Sequence, residues 1–254
     1  MRRDRTVLLA ALLAVAGAAL SAAAGGAPGV EPSADRILRQ MSDYLARAGE
    51  FTFHADVTYD EALASGQRIE YGGTADVAVR RPDRLHVEYR GDERQSRVVF
   101  DGQTFTLHDL AANVYAVTEV PPEIDAAADL VFDKYGFSVP IADLVYSDPY
   151  AALTGSVETG FVAGLHSVGG TPCHHLAFSQ ATIDWQIWIE DGPRPVPRKL
   201  VIIYKDEPGS PRYTARLSGW DFQPRLSDHY FEFRPPDGSD EIEFLPTQPT
   251  ESQP

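Results

Sequence analysis

The chain has 254 residues, with 37 acidic against 22 basic side chains, a net charge of −15 and a single cysteine. That excess of carboxylates argues against a nucleic-acid partner and against docking on anionic lipid heads, both of which require basic patches. One cysteine allows no internal disulfide, so stability must come from a buried core, and roughly 215 mature residues are enough for one all-β domain.

Residues 1–24 read as a secretory signal peptide. Arg2, Arg3 and Arg5 form a basic start, Val7 to Leu20 an apolar run, and Ala22-Ala23-Ala24 a small-residue cleavage site. The run is short for a membrane span, and an uncleaved anchor helix is the competing reading. Cys173 is the only cysteine, so none stands at the cleavage site for lipid attachment, and the mature protein is expected to be soluble, without a transmembrane span. Loss of Arg2, Arg3, Asp4 and Arg5 would take its net charge from −15 to −17. Residues 25–32 are expected to be a disordered leader, 33–246 a single domain, and 247–254 a disordered polar tail.

Ser33 can cap a helix in which Ile37, Leu38, Met41, Leu45 and Ala48 recur at helical spacing until Gly49. Phe51 to Tyr59 then alternates apolar and polar residues, a first strand. Arg68–Tyr71, Thr74–Val79, Leu85–Tyr89, Arg97–Phe100 and Thr104–His108 follow as short strands, with Pro82 ending one and Asp101-Gly102 turning between the last two. Val114–Val120 closes the series at Pro121-Pro122.

The pattern then changes. Glu123–Tyr135 is helical in character, and a second apolar piece spans Ile141–Tyr146. This helical insertion of about thirty residues is long for a connection, and a covering lid is the natural reading. Strands resume at Phe161–Ser167, Cys173–Ser179, Asp184–Glu190, Lys199–Lys205, Tyr213–Phe222, His229–Phe233 and Glu241–Phe244. The expected fold is mainly β: an unclosed antiparallel half-barrel of about eleven strands, with an N-terminal helix and the helical insertion as lid or plug.

His54, His86, His108, His166 and His229 are scattered singly, and rim or surface positions are expected for them. In Cys173-His174-His175, the first and third residues share one face of a strand, but no second pair completes a metal set. No GxSxG elbow, HExxH, phosphate loop or EF-hand is present, so no catalytic residue, metal site or cofactor is assigned. The apolar residues are richer. Phe53, Leu85, Val87, Tyr89, Phe105, Leu107, Trp185, Ile187, Ile189, Ile202 and Tyr204, with Trp220 and Phe222, could line one concave face. They could equally be a filled core. Two helical segments are few to fill so many strands, which favours a cavity.

Several motifs, in order, resemble the outer-membrane lipoprotein carrier (LolA/LolB-like) superfamily. These are Phe51-Thr52-Phe53-His54-Ala55, Gly73 to Pro82 (GTADVAVRRP), Asp101-Gly102-Gln103-Thr104, and Phe231 to Gly238 (FEFRPPDG). Within it the chain is most similar to a group of exported bacterial proteins known only as predicted periplasmic proteins. The resemblance implies an open barrel with helices over a hydrophobic hollow, a periplasmic location, and carriage of a lipid or acyl chain rather than catalysis. It also implies that Arg81 holds the lid by bonding backbone carbonyls near Ile141, Leu144, Val145 and Tyr146. Alternatives are a protein–protein module that senses or regulates an envelope partner, and an envelope hydrolase. From the alternation alone, Val87→Glu is expected to damage the protein far more than His86→Glu.

Overall fold

The computed structural model describes residues 29–137 and 140–246; the expected signal peptide and tail lie outside them. The first helix, α1 (Pro32–Ala46), starts one residue before the proposed cap, with Glu31 in the extended capping position and Pro32 in the first turn. Proline has its φ preset there and its missing N–H costs nothing, which is why Ser33 is not needed as the cap. Ala34, Leu38, Met41 and Leu45 are fully buried along one stripe. The leader is ordered at its end: Val30 bridges to Gly160, and Glu31 donates its backbone N–H to Gly160 O at 2.8 Å.

Six strands then run as a meander: β1 (Glu50–Ala62), β2 (Arg68–Arg80), β3 (Arg84–Gly91), β4 (Gln95–Phe100), β5 (Thr104–Asp109) and β6 (Val114–Glu119). The insertion follows, as α2 (Ile124–Tyr135), a 3-10 turn (Ala142–Leu144) and α3 (Pro149–Thr154). A second meander comprises β7 (Thr159–Val168), β8 (Thr171–Ser179), β9 (Ile183–Glu190), β10 (Pro197–Tyr204) and β11 (Arg212–Asp221). A two-residue β12 (Asp240–Glu241) ends the described chain's secondary structure. All twelve strands form one sheet in the order β12-β6-β5-β4-β3-β2-β1-β11-β10-β9-β8-β7, not closed into a barrel. Every pairing is antiparallel except that of β12 with β6.

The register carries the alternation across the sheet. Phe53, Val77, Val87, Val98, Leu107 and Ala116 stand opposite one another from β1 to β6, all on the inner face. Tyr213, Ile202, Trp185 and Phe178 continue that face through β11, β10, β9 and β8.

The strands depart from the sequence reading in three places, each for a packing reason. Arg68–Tyr71 and Thr74–Val79 are one strand, not two. A Cβ on Gly73 would come within 2.6 Å of Tyr89 Oη, so the glycines sit inside a continuous strand where an aromatic ring takes the space of their side chains. His229–Phe233 is not a strand; Asp228–Phe231 is a 3-10 turn laid on the outer face. Its alternation marks packing, for Phe231 is fully buried and Phe233 lies against Tyr115 and His108. Of Glu241–Phe244 only the first residue is strand, and Phe244 packs instead on Phe105 and Tyr135.

The strap from 226 to 244 thus starts on the outer face and reaches inner-face residues past the β6 edge. Arg80 anchors its start, donating to Asp228 Oδ1 (2.7 Å), to Leu226 O (2.6 Å) and to Glu50 Oε1 (2.8 Å). Beneath it His86 and His108 are 8% and 2% exposed, so these two histidines are core residues of the outer face and not rim residues. Tyr230 meets His86 edge-on at 4.5 Å between ring centroids. Burial holds the His86 imidazole below its usual pKa, aided by Arg97 and opposed by Glu88.

That burial revises the expected contrast. His86→Glu puts a carboxylate under the strap and should lower stability by about 2 kcal/mol. Val87→Glu on the inner face should cost at least as much, and Val117→Glu on the exposed outer face less than about 0.5 kcal/mol. Urea midpoints of the three variants test the ranking; a harmless His86→Glu would refute the packing of the strap.

Candidate ligand-binding cavity

Between the inner face and the insertion lies a cavity of about 930 Å³. Phe53, Val77, Leu85, Val87, Val98 and Phe105 form one wall, from β1 to β5. Ile183, Trp185, Leu200, Ile202 and Tyr204 form the other, from β9 and β10. The insertion roofs it with Val131, Phe132, Phe137, Ile141, Val145 and Leu153. A hollow of this size and lining is in the upper part of the range of small-ligand sites, about 300–1,000 Å³.

The roof is tied down by polar contacts at its margins. Ile124 N donates to Pro82 O (3.0 Å), and the Tyr135 hydroxyl meets Thr118 Oγ1 of β6 (3.1 Å). Asp125 accepts from Ser147 N (2.9 Å), and Tyr150 donates to Asp35 of α1 (2.5 Å). Arg81 points inward and donates from Nη1 to Val145 O at 2.7 Å. Its Nε and Nη2 are buried with no partner among the described residues, and burial lowers its pKa, with Asp125 opposing.

The residues named from the sequence separate into groups. Phe53, Leu85, Val87, Phe105, Trp185, Ile202 and Tyr204 line the walls, and Ile141, Val145 and Tyr146 line the roof. Ile187, Ile189 and Leu144 are fully buried and reach no open space. For the first two the cause is α1, which lies against β7 and β9 and fills that end of the inner face. Tyr89 folds over Gly73 and Gly91, and Leu107 packs on the core without lining the cavity. Cavity and filled core, posed as alternatives by the sequence, occupy different ends of one face. Val77, Val98 and Leu200 were missed although they share the alternation of their neighbours. Missed too were the carboxylates at the roof and mouth, of which Asp125, Asp129 and Asp133 show the four-residue spacing of one helical stripe.

Among the described residues, no three His, Cys, Asp or Glu side chains gather as a metal site. His175 stacks on Trp188 at 3.9 Å and meets His166 (Nδ1 to Nδ1, 3.0 Å), while His174 reaches Asp191 at 3.1 Å. No described helix is long and apolar enough to cross a membrane.

A family model described as "Predicted periplasmic protein (DUF2092)" matches residues 34–245. The chain belongs to this family. It is a periplasmic protein, the location and the group expected from its motifs. Among solved structures it is similar to an uncharacterised conserved protein of Thermus thermophilus, at 12% identity and TM-score 0.48, over 83% of this chain and 99% of that one. It is also similar to LprF of Mycobacterium bovis, at 15% identity and TM-score 0.44, over 84% of this chain and 100% of that one. The LolA superfamily protein NE2245 of Nitrosomonas europaea shows 9% identity and TM-score 0.42, over 79% of this chain and 97% of its own. No curated protein matches the sequence.

Among the described residues, the charged side chains that line the cavity of this DUF2092 protein are Asp129, Asp133, Asp143, Asp206 and Glu207, with no Arg, Lys or His. Asp129 accepts from Tyr146 Oη at 2.8 Å. Burial and then the bond to Asp129 raise the Tyr146 phenol, and burial followed by the Glu207 charge lifts Tyr204 to about 12. Glu207 is itself raised by burial and by Asp206. Asp143, half-buried, takes no hydrogen bond or ion pair from any described residue, and burial lifts its carboxyl to about 6.

A carboxyl group that binds its proton more tightly when folded stabilises the protein in its acid form. For Asp143 that contribution is whole below about pH 4 and lost as the pH rises through about 6. Asp143→Asn should therefore raise stability by about 1–2 kcal/mol near pH 8, with the gain gone near pH 4. Thermal melts of both proteins across that range decide it; a gain independent of pH would contradict the burial of the charge.

Proposed function

We propose that this periplasmic protein holds an acyl chain or another elongated apolar ligand in the cavity, as a carrier within the envelope. The supporting observation is the hollow itself: about 930 Å³, apolar on both walls and roofed by a separate segment. Burying hydrocarbon there yields about 0.8 kcal/mol per CH2 and needs little polar chemistry. We read carriage and not catalysis because the described lining brings no histidine or cysteine beside its hydroxyls and carboxylates. In this reading the insertion is a lid, and Arg81 is its latch through Val145 O.

A second reading has its own observation. Strand β7 is an edge of the sheet, and Phe161 and Leu165 on it are 50% and 58% exposed. Residues 29–31 bond to this edge at Gly160 and Val162; beyond them, its apolar side chains suit an envelope protein partner that adds a strand.

Uptake of N-phenyl-1-naphthylamine and native mass spectrometry of detergent-free protein test the carrier. Saturable fluorescence gain, or a bound species lost on organic extraction, is expected. Val87→Trp should weaken uptake at least about tenfold by filling the wall, and Val117→Trp should leave it unchanged. No uptake and a clean apo mass would favour the partner-binding module. For the latch, Arg81→Met should speed chymotryptic cleavage after Tyr146 several-fold, with a change in global stability below about 2 kcal/mol. Unchanged cleavage would remove Arg81 from the role.

A further inference from the structure

The cavity is apolar in its depth and one-signed in its charge. Asp129 and Asp133 reach it from α2, Asp143 from the 3-10 turn, and Asp206 and Glu207 from the loop after β10. The carboxylates come from two separate parts of the chain, the roof and the mouth beside Gln180 and Thr182. None of the five forms an ion pair with a described residue, and the one side-chain hydrogen bond among them comes from a neutral phenol.

Two cations, Arg81 and Lys205, lie close to the cavity without lining it. Arg81 lies behind Val145, bonded to its carbonyl. Lys205 is held by Asp184 Oδ1 at 2.9 Å, by Gln180 O and by Ser179 Oγ. An anionic group entering here would meet like charges in a partly desolvated space, with no basic side chain among the described lining residues to answer it, and such juxtapositions reject a ligand strongly. The net charge of −15 adds a long-range field of the same sign.

We propose that the cavity selects its ligand by the charge of the polar end, accepting neutral or cationic amphiphiles and rejecting anionic ones such as free fatty acids. The inference rests on the carrier reading and names its substrate class. It separates this cavity from one built for a carboxylate or phosphate head, which would place arginine or lysine in the lining itself.

Displacement of N-phenyl-1-naphthylamine by three ligands with the same chain length tests it on the unmodified protein: dodecyltrimethylammonium, monolaurin and laurate, each below its micellar range, near pH 8 and at low salt. The cation and the neutral ester should displace the probe at least about tenfold more effectively than laurate, and added salt should narrow the gap for the charged pair. In Asp129→Asn/Glu207→Gln, laurate should gain on the other two. Laurate equal to or better than monolaurin on the unmodified protein would overturn charge selection while leaving the carrier intact. Failure of the probe to bind at all would overturn the carrier reading, and charge selection with it.

Discussion

The arrangement of this protein depends on one topological constraint. The two meanders meet in the middle of the sheet, where β1 pairs with β11, so the chain leaves the first meander beside one edge and must begin the second at the other. The segment between them has to cross the whole inner face. A crossing of that length over an apolar surface cannot remain a solvated loop, because the surface would stay exposed and the backbone would lack partners. It folds into α2, the short turn and α3, and so becomes a roof. The roof is not a decoration added to a finished barrel; the strand order demands it.

The roof made by this crossing segment is anchored to the elements around it by polar contacts. Its ties run to the β2–β3 turn, to β6 and to α1, and Arg81 reaches the carbonyl of Val145 from beneath. The far end of the inner face is filled instead by α1, whose Leu38, Met41 and Leu45 are fully buried. One helix fills and the other segment spans, and the hollow is what remains. The same division explains the charges. Residues on the spanning segment need not pack against a solid core, so Asp129, Asp133 and the half-buried Asp143 are tolerated there, at a cost in stability that a filled core would not allow.

The outer face obeys a different logic. Antiparallel sheets commonly leave one face to water, and the polar side of β3 to β5 reads that way. The strap that starts at Leu226 covers part of it, burying His86, Thr106 and His108, and then takes up the edge of β6 through β12. It protects one edge of the sheet from pairing with another chain, while β7 at the opposite end keeps exposed Phe161 and Leu165.

The sequence by itself determined the strands, the inner face and the open all-β architecture, because a period of two and its breaks at proline and Asp-Gly are local properties of the chain. It determined the helical character of the insertion and the inward direction of Arg81 by resemblance. It did not separate Trp185, on the cavity wall, from Ile187 and Ile189, sealed two and four residues later on the same face, since all three obey one alternation. Only the placement of α1 against β7 and β9 made that distinction. Nor could alternation tell a strand from the strap at His229–Phe233, or show that His86 is covered, because both depend on residues more than a hundred positions apart in the chain. The gathering of Asp129, Asp143 and Glu207 at one hollow was likewise decided by tertiary structure: each is an ordinary surface carboxylate until the crossing segment brings it over the sheet.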